Sequence, residues 1–461
     1  MINVREKKGL SADIKMILLL ALPTIIEQAL QTIVQYADTA MVGRLGADAS
    51  AAVGLTTSVT WLVNAPMFAA GIGVLACMAR FWGSKDKRSV TKTGGQALFL
   101  VLIVGVAEGI AFTAASSHIP TWLGAEEHIR PAAAAYFTII SLPMLFRASN
   151  IILSSALRAV KDMKTPMKVN LLVNGMNIVL NYFLIYDTRQ VTIGGLSVTV
   201  VGAGLGVVGA AAATALSQTF GGILMFIAFM RNDKLNMKSE KLRLDKDIMK
   251  RCVVIGIPVA LERMCVCLGH VTFTGLVTKL GTVAFASHSI ALTAEQAFYI
   301  PGYGMQAAAS TLVGNALGER DAHKLKKVSG QLMQLAFWLM AVTGLLLFIF
   351  PGWLMGLFTP DAEVVAGGIT ILRLVALSEP IFGVVIMLEG IFNGAGDTRM
   401  PFVISLVSMW GVRIASTWVC VNIFHLGLTA VWLCMIADNV CRFILLTIKY
   451  RRWKIYKTLE N

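Results

Sequence analysis

The chain has 461 residues, of which 56% are hydrophobic and only 14% are charged, and its formal net charge is +14. About a quarter of the residues of a soluble domain are charged, so this composition excludes an ordinary soluble protein and indicates a membrane protein. A basic total also occurs in nucleic-acid-binding proteins. Here the basic residues are scattered over alternate loops, which favours a membrane topology over nucleic-acid binding.

Apolar stretches of membrane-spanning length follow one another along the chain. A helix needs about 20 such residues to cross the hydrocarbon core, and the alternating pattern of barrel strands is absent. The first stretch is long enough to span and has no small-residue cleavage site, so we interpret it as a helix and not as a signal peptide. We predict an all-α polytopic membrane protein with twelve transmembrane helices, starting near Ile14, Ala49, Gly94, Pro131, Pro166, Gly202, Cys252, Val283, Gly330, Val364, Pro401 and Leu426.

Lysine and arginine concentrate in every second connection between these spans. Basic residues are retained on the cytoplasmic side of a membrane, so both termini are predicted to be cytoplasmic. The expected location is the plasma (inner) membrane, which the chain would cross many times. The opposite connections hold few basic residues, and these are Arg44, Arg130, Arg189 and Lys279.

The chain repeats itself at an offset of 235 positions. Under that shift Pro23 falls on Pro258, Glu27 falls on Glu262, and the register holds over roughly 145 residues. Each half has six spans, so the halves are predicted to be related by a pseudo-two-fold axis along the membrane normal. After an insertion near Asp187–Gly204 the offset falls to 221. The predicted organisation is an N-terminal six-helix lobe at 1–230, a cytoplasmic linker at 231–251, and a C-terminal six-helix lobe with a basic cytoplasmic tail at 252–461.

Polar residues form a stripe on the otherwise apolar first span. Glu27 and Asp38 are eleven residues apart and therefore about 20° from eclipsed, with Gln31 and Gln35 between them. A stripe of this kind, roughly 16 Å long, needs water, an ion or polar partners opposite it. A cavity lining and a buried structural network are both open interpretations, and the cavity is favoured for Asp38.

Span five adds a row of asparagines on related helical angles, and span six adds Thr214. Neutral oxygen atoms beside one carboxylate suit a monovalent cation or a water cluster, although such residues also join helices together. The asparagines are Asn170, Asn174, Asn177 and Asn181, of which Asn170 is predicted to be structural.

The second half has a different set of ionisable residues. Glu262 and His270 lie on span seven, but Phe273 occupies the position equivalent to Asp38, so the two halves are chemically asymmetric. Asp438 and Arg442 are four apart and are predicted to neutralise each other. Arg147 and Arg413 have no evident partner in the sequence. The remaining candidates are His288, Glu295, Glu379 and Glu389.

Seven cysteines lie mostly inside spans, with an odd total and no metal-ligand spacing. We interpret them as ordinary buried thiols. No phosphate-binding loop or paired-aspartate metal motif is present, which disfavours a polytopic membrane enzyme.

Several sequence segments are distinctive when taken together and in order. They are YADTAMVGRLG in span one, NIVLNYFLIY in span five, GVVGAAAAT in span six, GTVAFASHSIAL and PGYGMQAAASTLVGNALGERD around span eight, and GAGDTRMP at 394–401. In these segments the chain resembles the multidrug and toxic compound extrusion (MATE) family, and the resemblance covers nearly the whole chain.

The resemblance implies an antiporter that exports organic, often cationic, drugs or other xenobiotics by alternating access, driven by inward sodium or proton flow. It implies no cofactor beyond that coupling ion, no enzyme activity, contact with membrane lipid, and a monomer. Asp38 and Asn177 fall on the family's coupling positions, with Thr214 nearby. Asn181 departs from the pattern, since related prokaryotic members often have aspartate there.

The expected cation or proton coupling residues are Asp38, Asn177, Asn181, Thr214 and Glu262, and the first four form a candidate sodium site. Glu262 is a looser assignment, because one branch of the family places this glutamate later in the helix. The expected substrate-cavity residues are Glu27, Gln31, Gln35, His270, Glu295 and Glu379. A lipid-linked oligosaccharide flippase of the same superfamily is the alternative function. Such a flippase would use cationic residues inside its spans to hold pyrophosphate, and this chain has arginines inside its spans.

Overall fold

The computed structural model describes residues 4–193, 196–238 and 242–453. Three predicted features lie partly outside these residues. They are the tail with Lys454 and Lys457, Lys241 of the linker, and the Gly194–Gly195 centre of the insertion.

The described chain is almost entirely helical. The first half contains α1 to α9, and the second half contains α10 to α18 with a π-helical segment inside its fifth span. The first nine helices are α1 (Val4–Gly43), α2 (Ala47–Val63), α3 (Ala65–Gly83), α4 (Lys87–Ala115), α5 (Ile119–Trp122), α6 (Arg130–Ser141), α7 (Met144–Ala159), α8 (Lys164–Ile185) and α9 (Gly206–Met230). The others are α10 (Lys246–Thr278), α11 (Thr282–Gly318), α12 (Ala322–Ile349), α13 (Pro351–Gly356), α14 (Ala362–Ala376), α15 (Glu379–Ala395), α16 (Arg399–Leu406), the π-helix Val407–Ile414, α17 (Ala415–Asn422) and α18 (Leu428–Arg451).

The predicted spans correspond to these helices. Within the described residues, nine segments are long and apolar enough to cross a membrane, and two further spans consist of helix pairs bent by 52° and 56°. The remaining predicted span is α11, whose 37 residues exceed the length needed but include more polar side chains. The all-α polytopic fold with twelve spans is therefore confirmed.

The insertion of the first half changes one predicted boundary. Asp187–Ile193 (β1) and Leu196–Ala203 (β2) pair as an antiparallel hairpin, so span six begins at Gly206 and not near Gly202. The valines and threonines of this segment favour strand over helix, and the hairpin satisfies its own backbone hydrogen bonds.

The 235-residue repeat is visible in the breaks of the helices. The bent pair α6 and α7 is interrupted at Leu142–Pro143, and the bent pair α14 and α15 is interrupted 235 positions later at Leu377–Ser378. Gly46 and Gly281, which precede α2 and α11, both have positive φ, at 117° and 96°. The sequence repeat is therefore a structural repeat.

Four turns at the basic end of the spans share one conformation. In each, a residue with left-handed φ follows a helix and is itself followed by an aspartate whose N–H donates to the carbonyl five residues earlier, closing a Schellman-type cap. The left-handed residues are Lys85, Lys161, Arg320 and Gly396, with φ of 59°, 61°, 56° and 79°. All four turns follow spans whose next connection is predicted to be cytoplasmic, and we refer to that predicted side as the basic side.

The helices α3 and α11 approach each other closely near their C-terminal ends. A Cβ on Gly83 would overlap with the carbonyl oxygen of Asn315, and a Cβ on Gly318 would overlap with that of Arg80. The two contacts are equivalent under the 235-residue shift, so this helix crossing is reciprocal. Glycine is required at both positions because backbone lies directly against backbone.

The described residues form two compact units. One contains the chain up to Ala29, Leu75–Asp86 and the chain from Ile257 onward, and the other contains Leu30–Val74 and Lys87–Gly256. The first unit has apolar clusters around Trp432 and Phe392, and the second has clusters around Phe137 and Ile185. Helix α1 contributes residues to both units.

The segment after α9 is packed against the start of α4. Leu235 is fully buried, its carbonyl accepts from Thr91 Oγ1 at 2.8 Å, and the Arg243 carbonyl accepts from Gln96 Nε2 at 2.9 Å. Asp245 accepts from the Ile248 N–H at 3.2 Å and from Lys92 Nζ at 3.3 Å, so it caps α10 and holds the segment to α4.

Candidate functional site

Three helices of one unit bring Asp38, Asn177, Asn181 and Thr214 together. Asp38 lies on the last turns of α1, the asparagines lie one turn apart on α8, and Thr214 lies on α9. Asn181 Nδ2 donates to Asp38 Oδ1 at 2.5 Å and to Asn177 Oδ1 at 3.2 Å, and Asn177 Nδ2 donates to Thr214 Oγ1 at 3.4 Å. We call these four residues the Asp38 cluster.

The Asn177 amide has a second orientation. Turned by 180°, its nitrogen lies 2.9 Å and 3.1 Å from the two carboxylate oxygens of Asp38. Both asparagines then donate to the same carboxylate. Rotation of an amide exchanges the positions of its nitrogen and its oxygen. Asn177 can therefore donate a hydrogen bond to the Asp38 carboxylate or present its oxygen to a bound cation.

The cluster is poor in compensating charge. Among the described residues, no lysine, arginine or histidine forms an ion pair with Asp38. Asn177 and Asn181 are only 6% and 1% exposed, and Asn181 Oδ1 is buried without a hydrogen-bond partner in the described structure. An orphaned buried oxygen beside a carboxylate is a suitable ligand for a hard monovalent cation, and a proton on the carboxyl would also neutralise it.

Glu262 is the fifth predicted coupling residue. Glu262 belongs to the other unit, where Ser405 Oγ donates to its carboxylate at 2.7 Å. The structure therefore assembles four of the five predicted coupling residues and assigns Glu262 to a separate group.

The predicted cavity residues differ in exposure. Gln31, Gln35 and His270 are exposed. Glu27, Glu295 and Glu379 are only 7%, 6% and 1% exposed, and both carboxylate oxygens of Glu379 are buried without a partner in the described structure. Glu379 is the first residue of α15, directly after the 56° bend.

A buried ionic network in the second half was only partly predicted. Asp438 pairs with Arg442 at 3.5 Å, as expected from their spacing, and it also pairs with Arg413 at 2.7 Å. Ser408 Oγ donates to the same carboxylate, and Arg442 lies 3.8 Å from Glu389. Asp438 is therefore the partner of Arg413, and it lies on a different helix, so the sequence of span eleven did not predict the pair.

The π-helix Val407–Ile414 carries Arg413 into this network. The Nε of Arg413 has no hydrogen-bond partner in the described structure, and the Arg413 guanidinium lies 5.7 Å from the Phe273 ring centroid. Phe273 is the residue that replaces Asp38 in the second half, so an aromatic face and an arginine occupy the region equivalent to the Asp38 carboxylate.

Arg147 also has a charged neighbour. It interacts electrostatically with Glu108 of α4, which is 7% exposed and whose carboxylate oxygens make no hydrogen bond within the described residues. Glu108 is not among the residues predicted from the sequence. A carboxylate inside an apolar span was the signal that could have found it.

Asn170 has the structural role that was predicted for it. Its Oδ1 accepts from Asn150 Nδ2 of α7 at 2.9 Å. All seven cysteines are free thiols, but only Cys77, Cys252 and Cys434 are buried, and the other four are partly exposed.

The long apolar helices and the 235-residue repeat are those of a polytopic membrane transporter. The family model described as MatE matches residues 23–183 and 258–419, two segments that begin 235 residues apart. These segments cover well over half of the chain, and the chain belongs to the MatE family.

Curated relatives cover the chain over nearly its full length. A "Probable multidrug resistance protein NorM" of Thermotoga maritima is 29% identical over 447 residues, 95% of this chain and 92% of the relative. An "Uncharacterized transporter YisQ" of Bacillus subtilis is 23% identical over 94% of this chain and 92% of the relative.

Solved structures share the fold. A structure described as "Crystal structure of MATE in complex with MaL6" matches with a TM-score of 0.87 and 24% identity over 97% of each chain. A structure described as an outward-facing conformation of a multidrug resistance MATE family transporter of the MOP superfamily matches with a TM-score of 0.86 and 24% identity, over 97% of this chain and 96% of that one.

Proposed function

We propose that this protein is a cation-coupled antiporter that exports small organic compounds, many of them cationic, across the plasma membrane by alternating access. The observation that carries the proposal is the Asp38 cluster, in which a carboxylate inside a span lies beside neutral amides and an orphaned buried oxygen. A carboxylate in such surroundings is stabilised by taking up a cation or a proton.

The coupling mechanism follows from the electrostatics of the cluster. When sodium or a proton neutralises Asp38, the cost of holding that carboxylate away from water falls. The conformation that binds the ion better is then favoured, so ion entry shifts the equilibrium between the two openings of the transporter. For sodium, the ligands would be oxygens of Asp38, Asn177, Asn181 and Thr214. For a proton, the Asp38 carboxyl would carry it alone.

Two carboxylates of the second half differ from Asp38 in having cationic partners, which supports assigning the coupling ion to Asp38. These carboxylates, Asp438 and Glu389, have Arg413 and Arg442 as partners, so this network is already compensated internally. A compensated network has less need of an external cation than the Asp38 carboxylate. Glu262 is the next coupling candidate, since the hydroxyl of Ser405, a neutral group, donates to its carboxylate.

The substrate class is proposed from the exposed polar surface of α1 and from the relatives. Gln31 and Gln35 are exposed on a membrane helix, where a polar side chain favours a water-filled cavity over lipid. Several relatives carry the name "Probable multidrug resistance protein NorM". Pairing of Arg413 and Arg442 with carboxylates favours drug export over the flippase alternative, because paired arginines are less available to pyrophosphate.

The test uses purified protein in vesicles with a fluorescent organic cation, under a sodium gradient alone and then under a pH gradient alone. We expect one gradient to drive export by the wild type, and Asp38→Asn to insert normally but lose that export. Asp48→Asn, an aspartate on the neighbouring α2 outside the cluster, is the matched control and should export normally. Full export by Asp38→Asn at equal protein levels would place coupling elsewhere.

A further inference from the structure

We propose that the basic side of the protein carries a binding site for a phosphate group, formed by Lys85 and Arg320 above the crossing of α3 and α11. The phosphate would come from the headgroup of an anionic lipid or from a soluble phosphate. This site is separate from the Asp38 cluster and does not depend on the proposed function.

The site begins with a cavity of about 800 Å³. Two equivalent turns line it, Gly83–Ser84–Lys85 at the end of α3 and Gly318–Glu319–Arg320–Asp321 at the end of α11. The reciprocal glycine contacts place these two turns side by side, so one cation from each half of the repeat lines the same cavity.

The backbone at both cations is strained in the same way. Lys85 and Arg320 have φ of 59° and 56°, a left-handed conformation that costs a non-glycine residue about 1 kcal/mol and that usually selects glycine at this position of the cap. Glycine does occupy the equivalent position at Gly396. The turn can therefore form without a side chain at this position, and the charges of Lys85 and Arg320 are not needed for the cap itself.

The acidic residues of the cavity are already engaged, whereas the two cations are not. Glu319 pairs with Lys324 at 2.5 Å, and Asp321 accepts from the Lys324 N–H at 2.8 Å as the cap of α12. Within the described residues, neither Lys85 nor Arg320 has a carboxylate partner. Two uncompensated cations lining one cavity match a phosphate, for which arginine offers paired N–H donors and lysine a point charge.

The position of the cavity gives the ligand a structural effect. A phosphate bound to Lys85 and Arg320 at once would link the end of α3 to the end of α11. It would stabilise the arrangement in which the glycine crossing is closed, relative to any arrangement in which these two helix ends separate.

The test substitutes glycine at the left-handed positions, which removes the charge and relieves the backbone strain together. The double variant Lys85→Gly with Arg320→Gly is compared with Lys161→Gly, a basic residue in the same cap conformation that does not line the cavity. Both variants are expected to fold, because Gly396 already occupies this conformation in the native chain.

Thermal unfolding of the purified full-length protein in detergent is followed while short-chain phosphatidylglycerol, phosphatidylcholine of the same chain length, or inorganic phosphate is titrated. We expect phosphatidylglycerol to stabilise the wild type and Lys161→Gly, and the double variant to bind about tenfold more weakly or worse. Stabilisation by inorganic phosphate with the same dependence on Lys85 and Arg320 would also support the site and would identify a soluble source.

Two results would overturn the site. One is equal stabilisation by phosphatidylglycerol and phosphatidylcholine together with no response to phosphate. The other is an equal loss of response in Lys161→Gly and the double variant, which would show a general effect of surface charge.

Discussion

Asn177 and Thr214 contribute neutral groups to the Asp38 cluster, and their roles can be separated from helix packing. We expect Asn177→Ala or Thr214→Ala to weaken the ion dependence of transport while the protein stays folded, because each change removes one oxygen ligand and leaves Asp38 in place. The measurement is the half-saturating ion concentration for export in vesicles.

Asn170→Ala is the matched control for Asn177, since it lies two turns away on the same helix and bonds to Asn150 instead. It should lower stability without changing the ion dependence. If the Asn177 and Thr214 variants also keep the wild-type ion dependence, the cluster serves only to join helices.

Asp438 compensates two buried arginines, so its removal should be costly. We expect Asp438→Asn to destabilise the protein by about 3 kcal/mol or more, because it leaves Arg413 and Arg442 without that carboxylate in a buried site. Unfolding of the purified protein measures the loss. The double change Asp438→Asn with Arg413→Gln should recover part of it, and strictly additive losses would show that the pair does not interact.

The sequence predicted the members of the Asp38 cluster but not the partner of Arg413. Asp38 and the asparagines could be identified because they interrupt apolar helices and match family positions. The Arg413–Asp438 pair joins a π-helix to α18, and the faces that two helices turn towards each other depend on local helix geometry that residue spacing alone does not give.

The glycines at the crossing of α3 and α11 should be important for thermal stability. We expect Gly318→Ala to lower thermal stability markedly, because the added methyl group overlaps with the Arg80 carbonyl and the helices must separate. Gly330→Ala in α12 is the control, since no atom lies within 4 Å of its added Cβ, and it should be neutral or stabilising by up to about 1 kcal/mol. Equal effects of the two changes would contradict the close crossing.

The packing of the 231–245 segment against α4 should weaken in acid, because Asp245 both caps α10 and bonds to Lys92. The Ile248 N–H, with help from Lys92, holds the pKa of Asp245 below its ordinary value. A lowered pKa in the folded state means that the stabilisation is present above the unfolded pKa of about 3.9 and is lost as the pH falls through the folded value.

We therefore expect Asp245→Asn to weaken docking of the 231–245 segment by about 1 kcal/mol at pH 7, and by much less near pH 3. Hydrogen exchange of the segment measures this difference. Asp233→Asn, an exposed aspartate of the same segment, should have little effect at either pH. A pH-independent effect of Asp245→Asn would show that its charge is not involved.

A proline inside a span does not by itself determine whether the helix breaks. Pro380 lies two residues after the bend at Leu377–Ser378. Pro23, Pro258 and Pro301 lie inside α1, α10 and α11, which continue through them. A proline removes one hydrogen bond, and the surrounding helices determine whether a break follows.

The topology of the whole molecule remains a prediction with a direct test. We expect cysteine-accessibility labelling to find both termini and the 231–251 linker on the cytoplasmic face, because the basic connections lie on that side. The control is a cysteine in the hairpin 187–203, which should be labelled only from outside. Termini on opposite faces would contradict an even number of spans.

The π-helix of span eleven limits how far the first-half cluster could be copied into the second half. A π-helix holds more residues per turn than an α-helix, so every side chain beyond it is rotated by about 100° for each extra residue. In the first half, the equivalent span is the uninterrupted α8 that carries Asn177 and Asn181. Placing an aspartate at Phe273 and asparagines on span eleven would therefore not reproduce the geometry of the Asp38 cluster. The two halves differ in the winding of this helix as well as in its residues, and a transplant of the cluster would have to change both.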